Sequence, residues 1–205
     1  MKRAVFSFLK PYDTIGVTEG NQMISESILQ GERVRLRPPG ERDLPLFVRW
    51  FNDPEVRYWL NMSEGPELTL EDEREWYEEM RGDPARVVWV IEADGTPIGN
   101  LGLFGIDETH GRGTLGIAVG EKEDWSRGYG TEAIRLVVGY AFGEMGLRRV
   151  ELNTDEDNAR GIRCYEKSGF VKEGLLRSYR LRRGKPVNCL VMGVLRDEWQ
   201  GGPAK

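Results

Sequence analysis

From Glu32 onward, alternating and helically spaced apolar positions divide the chain into strands and helices. Val34 and Leu36 alternate with Arg35 and Arg37 as in a half-buried strand that stops at Pro38-Pro39-Gly40. Leu44, Leu46, Phe47, Trp50 and Phe51 then recur at helical spacing. Asn52-Asp53-Pro54 ends that helix, and Val56, Tyr58, Trp59 and Leu60 mark a second short one. Thr69 is placed to cap a third helix, with Asp72 three residues on as an Asp version of a capping box and Trp76, Tyr77 and Met80 as the core stripe. Arg86 to Ala93 is rich in β-branched and aromatic residues. It turns at Asp94-Gly95 into Ile98 to Phe104, an antiparallel hairpin, and a second turn around Asp107 to Gly113 leads into Thr114 to Val119.

The stretch from Thr114 to Phe142 then changes period. A β-prone run passes through the polar turn Gly120 to Ser126 into Arg127-Gly128-Tyr129-Gly130-Thr131, after which Ala133, Ile134, Val137, Val138, Ala141 and Phe142 form a helical stripe. Glu132, Arg135 and Glu144 are left to face water. A glycine loop feeding a helix N-terminus gathers unpaired N–H groups and the positive end of the macrodipole, so it is a cradle for an anion. A tight turn without a ligand is the alternative. Neither the nucleoside-triphosphate loop nor the dinucleotide fingerprint fits, since Thr131-Glu132 follows Gly130 and Glu151 opens its strand rather than ending it.

Beyond the turn at Met145-Gly146-Leu147, a strand from Arg149 to Asn153 puts Glu151 and Asn153 on one face. Asp157 or Asn158 can cap a helix carrying Ile162, Cys164, Tyr165 and Lys167, which Gly169 ends with Phe170 packed beneath. Two last strands, about Gly174 to Leu181 and Val187 to Leu195, flank Arg183-Gly184-Lys185.

With 205 residues there is material for one sizeable core. Residues 1–30 lack periodicity and read as an extension to a domain spanning 31–200. The alternative is an arm packed on a partner subunit or over the site, and Met23 could be the true start. A net charge of −5 argues against nucleic acid and acidic membranes and favours cationic partners weakly. No apolar run reaches membrane-span length and Met1 to Leu9 is too short for a signal peptide, so a cytoplasmic location is expected. Cys164 and Cys189 lack metal or disulfide spacing and read as reduced thiols, and with His110 the single histidine no metal site is expected. Glu71, Asp72, Glu73, Glu75, Glu78 and Glu79 read as a solvated helix face, or else as a patch guiding a cationic acceptor.

The run Asp124-Trp125-Ser126-Arg127-Gly128-Tyr129-Gly130-Thr131-Glu132-Ala133, followed by Asn158 and by Tyr165-Glu166-Lys167-Ser168-Gly169-Phe170, resembles the GNAT superfamily of acyl-CoA-dependent N-acetyltransferases. Leu195-Arg196-Asp197-Glu198-Trp199 and Asn52-Asp53-Pro54-Glu55-Val56 resemble its branch of ribosomal-protein N-terminal acetyltransferases. The similarity runs from about Glu32 to Trp199. It implies an α/β (α+β) fold with a mixed, mostly antiparallel sheet, helices on both faces, and a splay beside Thr114 to Val119 that holds acetyl-CoA. The pyrophosphate would rest on the amides of Arg127 through Thr131, the pantetheine would pair with Ile117, Ala118 and Val119, and Asn158 would touch the cofactor. Trp125 departs from the Gln or Arg that many members carry there, beside Ser126.

Transfer needs an amine freed of its proton, a polarised thioester and a proton for the departing thiolate. Tyr165 resembles the family's general acid; an ordinary packed tyrosine is the alternative. Some N-terminal acetyltransferases carry a Glu base twelve residues earlier, where this chain has Asn153, which can orient a water or the amine but not take its proton. Glu151, Glu121, Asp155 or solvent would be the final proton sink. A Cys164 nucleophile is disfavoured, because adjacent helical positions point about 100° apart and would not share the cleft with Tyr165. The expected acceptor is a protein or peptide N-terminus, with a polyamine or aminoglycoside as runner-up, and the enzyme would be a monomer or homodimer. The rival of another class is a non-catalytic CoA-binding sensor.

Overall fold

The computed structural model describes residues 27–201. One eight-stranded sheet is built from β1 (Leu29–Gln30), β2 (Val34–Arg37), β3 (Arg86–Ala93), β4 (Thr96–Asp107), β5 (Arg112–Val119), β6 (Arg149–Asp155), β7 (Val171–Arg182) and β8 (Lys185–Leu195). Their spatial order is β1-β2-β3-β4-β5-β6-β8-β7. Every pair is antiparallel except β5 with β6.

The helices are α1 (Leu44–Asn52), α2 (Pro54–Trp59), α3 (Leu70–Arg81), α4 (Tyr129–Gly143) and α5 (Ala159–Lys167). They cover both sheet faces, as expected. On one face Ala133, Ile134, Val137, Val138 and Ala141 of α4 meet Leu36, Trp89, Leu101 and Leu152. On the other, Phe47 and Trp50 of α1 and Trp76 and Met80 of α3 meet Val88, Val90 and Ala118. Each Val, Leu, Ile, Phe or Met among them contributes about 1.5–3 kcal/mol when fully buried, and each Ala less.

Local chemistry sets the helix starts. Asp53 accepts from the amides of Glu55 (2.9 Å) and Val56 (3.2 Å) to cap α2, and Thr69 with Asp72 makes the expected capping box at α3. Of the two candidate caps for α5, Asn158 does the work, its Oδ1 taking the Gly161 amide at 3.0 Å.

The split in the sheet comes from short pairing at its only parallel junction. β5 and β6 share the pairs Arg112 with Arg149, Gly113 with Val150 and Thr114 with Glu151, and no more. Past that point β5 stays paired to β4 as far as Val119, while β6 stays paired to β8 as far as Asp155. Two antiparallel halves thus keep their own partners and part from each other.

Several elements differ from the sequence reading. The last three strands run longer than expected at their ends, and the sheet starts at Leu29–Gln30, inside the stretch assigned to the extension; residues 1–26, with Met23, lie outside the described residues. Glu132 does not simply face water: its Oε1 takes the amides of Arg33 (2.8 Å) and Val34 (3.0 Å), tying α4 to β2. Glu73 is the clearer correction. It has 0% exposure on the inner face of α3, and neither carboxylate oxygen has a hydrogen-bond partner among the described residues. Burial, with Asp72 nearby, pushes its pKa up to about 8.

A buried ion network fastens β2 to the segment before α1. Arg37 spans both oxygens of Asp43 at 2.7 Å and donates its Nε to Glu92 at 2.7 Å. Removing one member of such a network strands a buried charge and destabilises strongly, although the intact network need not outdo well-packed apolar side chains.

Candidate active site

Beside the end of β5 that lies past its pairing with β6 is a cavity of about 280 Å³. One wall is β5, with Ile117, Ala118 and Val119, and the loop that follows it; the other is α5, and Val56 and Leu60 close the α2 side. The loop is braced at each end. Trp125 donates its indole N–H back to the Val119 carbonyl at 2.7 Å, Lys122 pairs with Asp53 at 2.8 Å, and Arg33 donates to the Arg127 carbonyl at 3.2 Å.

Within the loop, Ser126 and Gly128 take positive φ values of 65° and 92°. Backbone of this kind makes consecutive N–H groups converge into an anion-binding nest. The first helical bond of α4 runs from the Glu132 amide to the Gly128 carbonyl, so the amides of Tyr129, Gly130 and Thr131 lie before the hydrogen-bonded ladder begins. A cradle of donors therefore stands at the end of β5.

Trp125, Ser126, Gly128, Gly130 and Thr131 line the cavity together with Asn158 and Tyr165. Arg127 and Tyr129 do not present side chains there. Arg127 pairs with Asp124 at 3.3 Å, and the Tyr129 ring is buried in the core under Arg33. Their amides remain part of the loop. Asn158 lines the cavity with both polar atoms engaged, since its Nδ2 donates to Thr154 at 3.1 Å while its Oδ1 caps α5. Asn153 is exposed on β6 and is not among the lining residues. The three candidate carboxylates also lie off the cavity wall, each held by arginine: Glu151 by Arg149 (2.8 Å), Asp155 by Arg180 (2.9 Å) and Arg182 (3.0 Å), and Glu121 by Arg49.

Cys164 corrects the expectation that adjacent helical side chains would not share the cleft. It lines the cavity with Tyr165, because the cavity wraps around a wide arc of α5. Burial pushes its thiol pKa up, opposed by a 3.4 Å contact to the Thr131 hydroxyl, so the sulfur is a protonated wall group. The Tyr165 ring packs against Phe170 with centroids 6.3 Å apart. Burial raises its phenol pKa, Cys164 adds to the rise, and Arg160 opposes it.

The sequence reading missed Arg160, Arg163 and Lys167, which line the cavity from α5. Their i, i+3, i+7 spacing was a visible sign of a shared basic face. A second cavity of about 720 Å³ is walled by Tyr58 with Glu156, Asp157, Arg182, Arg183 and Lys185.

A mixed sheet split at one parallel junction, with a glycine cradle at the mouth, is the architecture of an acyl-CoA-dependent N-acetyltransferase. The chain belongs to the acetyltransferase (GNAT) domain family, whose model matches residues 33–171. It is similar to the uncharacterized N-acetyltransferase YoaA of Bacillus subtilis (strain 168), 31% identical over 176 residues that cover 82% of this chain and 97% of that protein. The spermidine N(1)-acetyltransferase of Escherichia coli (strain K12) is 28% identical over 167 residues, covering 81% and 88%. The structure of Mycobacterium smegmatis RimJ in complex with CoA-disulfide shares the fold, with a TM-score of 0.79 at 20% identity over 87% of this chain and 92% of that one. This chain is thus an acetyltransferase that uses acetyl-CoA, and no helix among its described residues is long and apolar enough to cross a membrane.

Proposed function

We propose that this enzyme moves the acetyl group of acetyl-CoA to the primary amine of a protein or peptide N-terminus by direct attack. The observation that carries the reading is the split between β5 and β6, which opens onto Tyr165 with the glycine cradle at its mouth. The pyrophosphate rests on the amides from Arg127 to Thr131, and the pantetheine runs along Ile117 to Val119 as an added strand. Tyr165 gives its proton to the leaving thiolate as the amine nitrogen bonds to the acetyl carbon and the C–S bond breaks. Solvent is the final proton sink, since the nearby carboxylates are held by arginine, and Asn153, exposed on β6 outside the cavity lining, could meet the amine only from the acceptor's side. The setting is cytoplasmic, in keeping with the two free thiols.

The second cavity favours a polypeptide acceptor. Its wall mixes Arg182, Arg183 and Lys185 with Glu156 and Asp157, which suits a chain of varied side chains better than a polycation. A polyamine acceptor is the second reading, favoured by the 28% identity to a spermidine acetyltransferase. Release of free CoA thiol across a panel of peptides, polyamines and aminoglycosides decides between them. Turnover of spermidine with no peptide turned over sinks the first reading.

A further inference from the structure

Arg160 occupies an unusual place in the cavity wall. It is the second residue of α5, half-buried, and its guanidinium carbon lies 3.5 Å from the centroid of the Trp125 ring and 5.9 Å from that of Trp59. Among the described residues it makes no ion pair; Glu55 acts on it only at longer range. Arginines elsewhere in the fold, such as Arg37, Arg149 and Arg182, are each closed by carboxylates. A cation drawn partly out of water with no counter-charge is costly unless an anion arrives. Burial accordingly lowers its pKa from the usual arginine value.

The flat indole fixes where the guanidinium lies. Stacking on Trp leaves the edge of the fork, with its N–H donors, free to take a planar or tetrahedral oxyanion. Ser126, Gly128, Gly130 and Thr131 line the same cavity, so the fork and the cradle share one space. The loop supplies an aromatic platform, and α5 supplies the cation.

We propose that Arg160, held on Trp125, is a phosphate-binding residue for the acyl donor, completing from α5 the anion site that the glycine loop makes from β5. The inference rests on the donor reading above and adds a side chain to it. Two consequences follow from the geometry. Arg160 bridges the two walls of the split, so phosphate binding draws α5 and the β5 loop together. Trp125 acts through Arg160 and is a positioning residue.

The test compares two ligands on the full-length enzyme: CoA, and pantetheine, which lacks the phosphates. Affinity for CoA is read by calorimetry and for pantetheine by displacement of CoA. Arg160→Gln should weaken CoA by about 10- to 100-fold, the range of one charged hydrogen bond, and leave pantetheine within about twofold. Arg160→Lys should recover part of the loss, because it keeps the charge without the fork, and Trp125→Leu should give a smaller loss confined to CoA. Unchanged CoA affinity in Arg160→Gln, or equal weakening of both ligands, overturns the assignment. A wild-type enzyme that binds CoA no more tightly than pantetheine overturns the cradle itself, and Arg160's part with it.

Discussion

Cys164 and Tyr165, consecutive on α5, both line the cavity beside the glycine loop, with the cysteine sulfur 3.4 Å from the Thr131 hydroxyl. The two candidate reactive groups therefore stand side by side, and their chemistry must be separated by substitution.

Tyr165→Phe keeps the ring against Phe170 and removes the proton. Turnover should fall by about 10² to 10⁴ while CoA affinity changes little. Because burial raises the phenol pKa, its proton stays in place through the whole neutral range, and no loss of rate from phenol ionisation is expected below about pH 10. Parallel measurements of kcat and CoA affinity, with a pH–rate profile, check both points. Wild-type turnover in the variant would refute the acid role.

Cys164→Ala should retain activity within a few-fold, since a thiol whose pKa is raised by burial supplies little thiolate at neutral pH. Mass spectrometry of the enzyme after acetyl-CoA alone should show no acetylated cysteine. A stable acetyl adduct at Cys164 that is chased by amine would reverse the assignment to direct attack.

Gly128 has φ of 92°, and an added Cβ would lie 3.0 Å from the movable Arg33 guanidinium, so the strain of a substitution is in the backbone more than in packing. Gly128→Val should cost about 1–2 kcal/mol of stability and abolish CoA binding in a protein that still folds. Calorimetry with CoA, alongside a thermal melt, reads the two effects separately.

Folding raises the Glu73 pKa from 4.5 to about 8, so the native state holds this proton more tightly than the unfolded chain does. The stability it confers is complete below about pH 4.5 and is lost as pH rises through about 8. The loss should reach a few kcal/mol, at about 1.4 kcal/mol per pKa unit. Glu73→Gln, neutral at every pH, should be more stable than wild type at pH 9 and less sensitive to pH from 5 to 9. Denaturant titrations at pH 5, 7 and 9 provide the comparison. Parallel curves for the two proteins would mean that Glu73 is ionised in the native state.

These outcomes bear on how much the sequence disclosed. The change from period two to period 3.6 between Val119 and Ala133 placed the strand, loop and helix, and the Thr69 and Asp72 pair marked the start of α3. Glu73 was misread because six acidic residues between Glu71 and Glu79 hide its register. Yet Glu73, Trp76, Tyr77 and Met80 are at i, i+3, i+4 and i+7, a buried stripe in which the carboxylate was readable. The spacing of Arg160 with Arg163 and Lys167 was readable, but its stacking on Trp125 was not, because Trp125 is in another element and only the closing of the loop after β5 against α5 brings them together. The hold of arginine on Asp155 was hidden likewise, since Arg180 and Arg182 come from β7, whereas Arg149 is two residues from Glu151 on the same face of β6 and that pair was readable.

The three-pair junction between β5 and β6 also governs how the molecule breathes. Amides of Gly116 to Val119 that point toward the split have no β6 carbonyl to bind, whereas Arg112 to Thr114 lie within the shared pairing. In hydrogen–deuterium exchange the far half of β5 should therefore trade its split-facing protons early, ahead of its own near half. A donor laid along that edge as an extra strand would accept from these amides and slow them selectively, so the pattern of protection would trace its path along β5 residue by residue.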